Sequence, residues 1–149
     1  MRISILLFFL VFSNISNSQN SYKTYENALE IIKLSPEFNE FLSDLSQKDK
    51  DFNVSEGLYP ICVYCEFLTD YVNPCKSSNW LEIWPKEQVK NLEKLGNKKN
   101  KKILLRFTNT DNSYFISELS YKSKKENLVF LFQINNDKLT LIKTLVNKI

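Results

Sequence analysis

The chain reads as an α+β domain, with N-terminal helices packed on a curved antiparallel sheet that ends in a four-strand meander. Three observations predict this. Apolar residues recur at intervals of three and four through residues 22–45. The C-terminal third holds four runs of strand composition. The connections between those runs are polar and too short for crossovers, so successive strands must turn back on each other.

The first element is a leader. Met1-Arg2 supplies a positive start, Ile3 to Phe12 is an apolar run broken only by Ser4, and Ser13 to Gln19 is small and polar. Ser16 and Ser18 have the spacing that a signal peptidase reads before a cut between Ser18 and Gln19. The apolar run falls short of the roughly 20 residues that span a bilayer. Residues 1–18 are therefore expected to be a signal peptide and 19–149 a single domain. The expected location is secreted or periplasmic, with no stable membrane insertion after cleavage.

Tyr22, Tyr25, Ala28, Leu29 and Ile32 place an apolar stripe along a first helix. Ser35-Pro36 ends it and starts a second: serine is a strong N-cap and proline suits the first helical position. Phe38, Phe41, Leu42 and Leu45 then repeat with helical period, and residues 47–51 form a charged connector. Residues 52–79 are the least regular stretch. Leu58 to Leu68 has the composition of a buried strand, with Pro60 at an edge or bulge, and residues 70–79 read as a loop. Trp80 to Trp84 alternates as a short strand. Pro85 opens a third helix with Val89, Leu92 and Leu95 on one face, and Gly96 is placed to cap it. The four meander runs are residues 103–107, 114–121, 128–134 and 139–146. In the third of these both faces are apolar, which predicts a strand covered on both sides.

This outline is similar in shape to NTF2-like and cystatin-like domains, which set helices into the concave side of such a sheet. No motif in the chain is specific to either family.

Composition excludes several kinds of chemistry. The sequence contains no histidine, which removes Ser-His-Asp triads, Cys-His dyads and HExxH zinc sites. Once Arg2 leaves with the leader, Arg106 is the only arginine and the net charge is about +2. Nucleic-acid readers use arginine for bidentate contacts on a clearly basic face, so no nucleic-acid partner is expected. No metal or cofactor is expected either.

Cys62 and Cys65 form a Cys-x-x-Cys pair, with Cys75 nearby. A redox dithiol would require a thiolate at a helix N-terminus within a βαβ unit, and no such pattern surrounds the pair. A zinc site would need a fourth ligand such as Glu66 or Asp70. In an oxidising compartment the preferred reading is a structural disulfide among the three, worth about 2–3 kcal/mol for so short a loop.

Trp80 and Trp84 share a strand face with Glu82 between them. Core packing is the preferred reading, and an aromatic ligand platform is the alternative. Arg106 and Glu118 lie on consecutive strands, where pairing across the turn brings them together. The preferred reading is a surface ion pair worth under about 1 kcal/mol, and the alternative is a polar group in a sheet-lined pocket. Asn53-Val54-Ser55 fits a glycosylation sequon. The lysine clusters at 98–102 and 122–125 are expected to be solvated turns, with an acidic binding partner as the minor reading.

The function expected from these features is an exported, non-catalytic domain that binds a partner protein or small ligand. The alternatives are a thiol redox protein using Cys62 and Cys65, or a pocket enzyme with Glu118 or Glu82 as base.

Overall fold

The computed structural model describes residues 22–46, 50–56, 86–99, 102–108, 110 and 113–148. Residues 1–18, expected to be a leader, the three cysteines, Trp80, Glu82 and Trp84 lie outside them, as do the strands expected within 58–84. Among the described residues no helix is long and apolar enough to cross a membrane.

Helix α1 occupies residues 22–34, and its stripe of Tyr25, Ala28, Leu29 and Ile32 is buried. Helix α2, Pro36–Phe41, starts as expected: the Ser35 hydroxyl accepts a hydrogen bond from the Phe38 amide at 3.1 Å, with Pro36 at its start. It is shorter than its apolar period suggested. After Phe41 the backbone tightens into turns in which the Ser43 amide donates to the Glu40 carbonyl and that of Leu45 to the Leu42 carbonyl. These three-residue bonds still deliver Leu42 and Leu45 to the core.

Strand β1 (Asn53–Glu56) and helix α3 (Lys86–Glu93) precede the meander of β2 (Ile103–Phe107), β3 (Tyr114–Tyr121), β4 (Glu126–Asn135) and β5 (Lys138–Lys148). The sheet order is β1-β2-β3-β4-β5. Three hairpins make β2 to β5 antiparallel, as expected. The sheet as a whole is mixed, however, because β1 pairs with β2 in parallel. A parallel neighbour needs a long connection, and the residues between Glu56 and Ile103, α3 among them, provide one. Cys62 and Cys65 fall between β1 and β2 in the sequence and lie outside the described residues.

The β4–β5 turn has Asn136 and Asp137 at φ of 47° and 61°, the left-handed pair that a two-residue hairpin requires. Between the partners of Leu131 and Phe132 the register shifts, leaving Ile142 as an extra residue on β5, a bulge that bends this strand.

The described helices contribute Tyr25, Ala28, Leu29, Ile32, Phe38, Phe41 and Leu92 to a core on one face of the sheet, while Leu34 at the end of α1 is exposed. That face carries Ile103, Leu105 and Phe107 on β2, Phe115 and Leu119 on β3, and Leu128, Phe130 and Phe132 on β4. The Tyr25 ring stands 5.1 Å from both Phe107 and Phe115, and Phe115 stacks on Phe132 at 5.1 Å. The Tyr25 hydroxyl donates to the Thr108 carbonyl at 3.0 Å, tying α1 to the sheet. On the opposite face Ile116, Val129 and Leu131 are also buried, so β4 is covered on both sides, as its composition predicted.

Gly96 serves a purpose other than the expected cap. Its φ is not left-handed, and a Cβ there would lie 2.5 Å from the Val54 nitrogen and 2.9 Å from the Phe52 carbonyl oxygen. Glycine is needed so that the end of α3 can press against β1, a contact sealed by the Asn97 amide donating to the Phe52 carbonyl at 2.8 Å.

Candidate functional site

Cross-strand register aligns side chains into rows on the sheet face opposite the helices. One row runs Asn53, Leu104, Ser120, Asn127 and Asn147 across all five strands. The next runs Ser55, Arg106, Glu118, Val129 and Leu145. Residues two apart on a strand share a face, so both rows lie on the same side of the sheet, at the end where β2 and β4 begin.

Arg106 and Glu118 are direct cross-strand partners, and the Arg106 Nη2 is paired with Glu118 Oε1. The pair is not at the surface, which corrects the preferred reading from sequence. The Glu118 side chain is 3% exposed and that of Arg106 34%. A polar residue was readable there from alternation. Its depth was not, because depth depends on what covers the sheet.

Ser120 Oγ donates to Glu118 Oε1 at 3.3 Å, and Asn127 also hydrogen-bonds the Glu118 carboxyl. Burial pushes this carboxyl above its usual range, opposed by those hydrogen bonds from Asn127 and Ser120. Burial likewise lowers the Arg106 guanidinium from its ordinary value. Each charged form is costly to bury, and their contact is what offsets that cost. Among the described residues the buried Arg106 Nε finds no hydrogen-bond partner.

In front of this pair opens a cleft of about 550 Å³, within the range of small-molecule sites. Its floor is Asn53, Leu104, Arg106, Ser120 and Asn127 from the two rows, and its rim includes Lys102, Lys122 and Lys124. These lysines come from the two clusters read as separate solvated turns. The meander brings them together: Lys102 precedes β2, Lys122 follows β3, and the Lys122 amide donates to the Lys102 carbonyl at 3.0 Å. Lys124 lies over the Phe41 ring at 4.6 Å from its centroid, an arrangement that fixes one wall of the cleft. Four cationic side chains line the cleft, and none of its described lining residues is a carboxylate.

Of the residues singled out from sequence, Arg106 and Glu118 are brought together here. Trp80, Trp84, Cys62, Cys65 and Cys75 lie outside the described residues. Asn53 of the sequon is half-buried, in β1 at the cleft floor. Sequence reasoning did not assign Ser120 and Asn127 to a site, and it gave the clusters that hold Lys102 and Lys122 an acidic partner only as the minor reading. The clue available was that a hairpin must place the start of β2 beside the end of β3.

No family model, curated protein or solved structure matches the chain.

Proposed function

We propose that this protein is an exported, non-catalytic binding domain whose ligand site is the cleft over the Arg106–Glu118 pair. The observation that carries this reading is the convergence of polar rows from four strands on one cavity of about 550 Å³. Export is supported by the leader-like segment at residues 1–18, and a non-catalytic role by the absence of histidine from the sequence. Glu118 does not suit the part of a general base, because its oxygens are engaged by Arg106, Ser120 and Asn127. It holds the arginine in place instead. Amide chemical shifts of the protein, recorded against a panel of sugars, amino acids, carboxylates and phosphates, test the assignment. A binding ligand is expected to move Asn53, Leu104, Ser120 and Asn127 together. Shifts confined to other surfaces, or turnover of any panel compound, contradict it.

A second reading is thiol redox chemistry at Cys62 and Cys65, whose sequence position falls between the parallel-paired strands β1 and β2. Alkylation rate against pH tests it. A thiolate forming well below the ordinary value of about 8.5 supports redox chemistry, and inert or bridged sulfurs end it.

A further inference from the structure

We propose that β5 is a dimerisation edge, at which two copies of this chain pair antiparallel across a two-fold axis and join their sheets into one. No described residue of β5 lines the cleft, so the dimer stands apart from the ligand site.

Strand β5 is an outer strand of the sheet, and among the described residues no strand lies beyond it. At 11 residues it is long for an open edge, which proteins ordinarily keep short or heavily charged. Its pairing with β4 sets Leu139, Leu141, Thr144 and Val146 on the helix side of the sheet, and Thr140, Lys143 and Leu145 on the other. Apolar side chains therefore stand on both faces, as they do on β4, yet none on β5 is buried. Val146 is 48% exposed. A further strand would cover these side chains and take up the outward backbone groups.

The register of β5 specifies a second copy as that strand. The bulge at Ile142 reverses the alternation of faces near the middle of the strand, so two copies match when their bulges lie side by side. With Ile142 of one copy opposite Lys143 of the other, Leu139 meets Val146, Thr140 meets Leu145 and Leu141 meets Thr144. Each of the last three pairs joins like faces. A shift of one residue sets unlike faces against each other. The same register brings Lys148 opposite Asp137 of the second copy, and the two-fold axis repeats that contact at the other end. Neither residue has an ion-pair partner among the described residues, and opposite charges directly across a ladder are favourable. No lysine of the strand faces another lysine.

Sedimentation of the purified protein at concentrations up to about 0.5 mM tests the proposal. A mass rising with concentration to that of two chains is expected, with the amide resonances of β5 moving as the dimer forms. Lys148→Glu sets a carboxylate against Asp137 at both ends of the edge and is expected to weaken the dimer about tenfold. Adding Asp137→Asn removes that repulsion and is expected to recover part of the loss, asparagine also being suited to the left-handed backbone there. Val146→Lys, at a position half open to solvent, is expected to abolish the dimer while leaving the thermal midpoint of the dilute protein unchanged. A single-chain mass throughout overturns the proposal. So does a dimer indifferent to all three variants, or assembly that continues beyond two chains.

Discussion

Glu118 shows how one side chain couples the stability of this protein to its environment. A carboxyl raised by burial is favoured in its protonated form by folding, so its contribution is fully present below its unfolded value and is lost as pH rises through the folded value. Arg106 is what makes the ionised form tolerable at neutral pH. Arg106→Met is therefore expected to destabilise the protein by about 2–4 kcal/mol at pH 7, the cost of a buried charge left alone, discounted for the partial exposure of the arginine. The gap to the parent protein is expected to narrow as pH falls and Glu118 takes up a proton, and urea unfolding at several pH values measures it. A gap that stays constant with pH contradicts the pairing. The pair was legible in part from sequence, because Arg106 and Glu118 alternate with apolar neighbours on strands joined by a short turn. Its burial was not, since no local pattern records what lies over a sheet face.

At the scale of elements, the meander was readable because each strand carries its own evidence: a run of β-branched and aromatic residues bounded by polar turns. Observed strands extend the expected ones by no more than two residues at either end. Strand β1 was not readable. Val54 is its one buried apolar side chain, with Phe52 buried just before it, too few to show a period, and its strand character comes from pairing with β2 far along the chain. Helix α3 was legible from Val89, Leu92 and Leu95, whereas the reason for Gly96 was not, since that reason is a contact with β1. Gly96→Ala is expected to cost about 2–3 kcal/mol, because the new methyl group meets backbone atoms of Phe52 and Val54 that cannot swing aside. Thermal unfolding measures the loss. A neutral outcome contradicts the close packing of α3 on β1.

Across the whole molecule, the helical layer and the sheet are joined by an aromatic cluster that centres on Tyr25. The Tyr25 phenol is pushed up to about 12, by burial first and against an opposing hydrogen bond with the Thr110 side chain. The unfolded phenol loses its proton near 10. Between these values the unfolded chain releases a proton that the folded protein keeps, so stability falls as pH rises above 10. The loss approaches about 2–3 kcal/mol by pH 12. Tyr25→Phe is expected to flatten this decline while giving up about 1 kcal/mol at neutral pH with the bond to Thr108. Urea midpoints between about pH 9 and 11.5, compared for the two proteins, measure both effects. The layer order was legible in the stripes of α1 and α2. The cleft was not, because it forms only where two lysine-rich turns, unremarkable apart, are brought side by side by strand register. The parallel placement of β1 also bears on how the chain assembles. Neighbours in the meander meet after short excursions, whereas β1 must find β2 across the long stretch from Glu56 to Ile103, an entropically slower encounter. The meander is accordingly expected to form first and β1 with α3 to dock late, so amide exchange is expected to be faster in β1 than in β3 and β4.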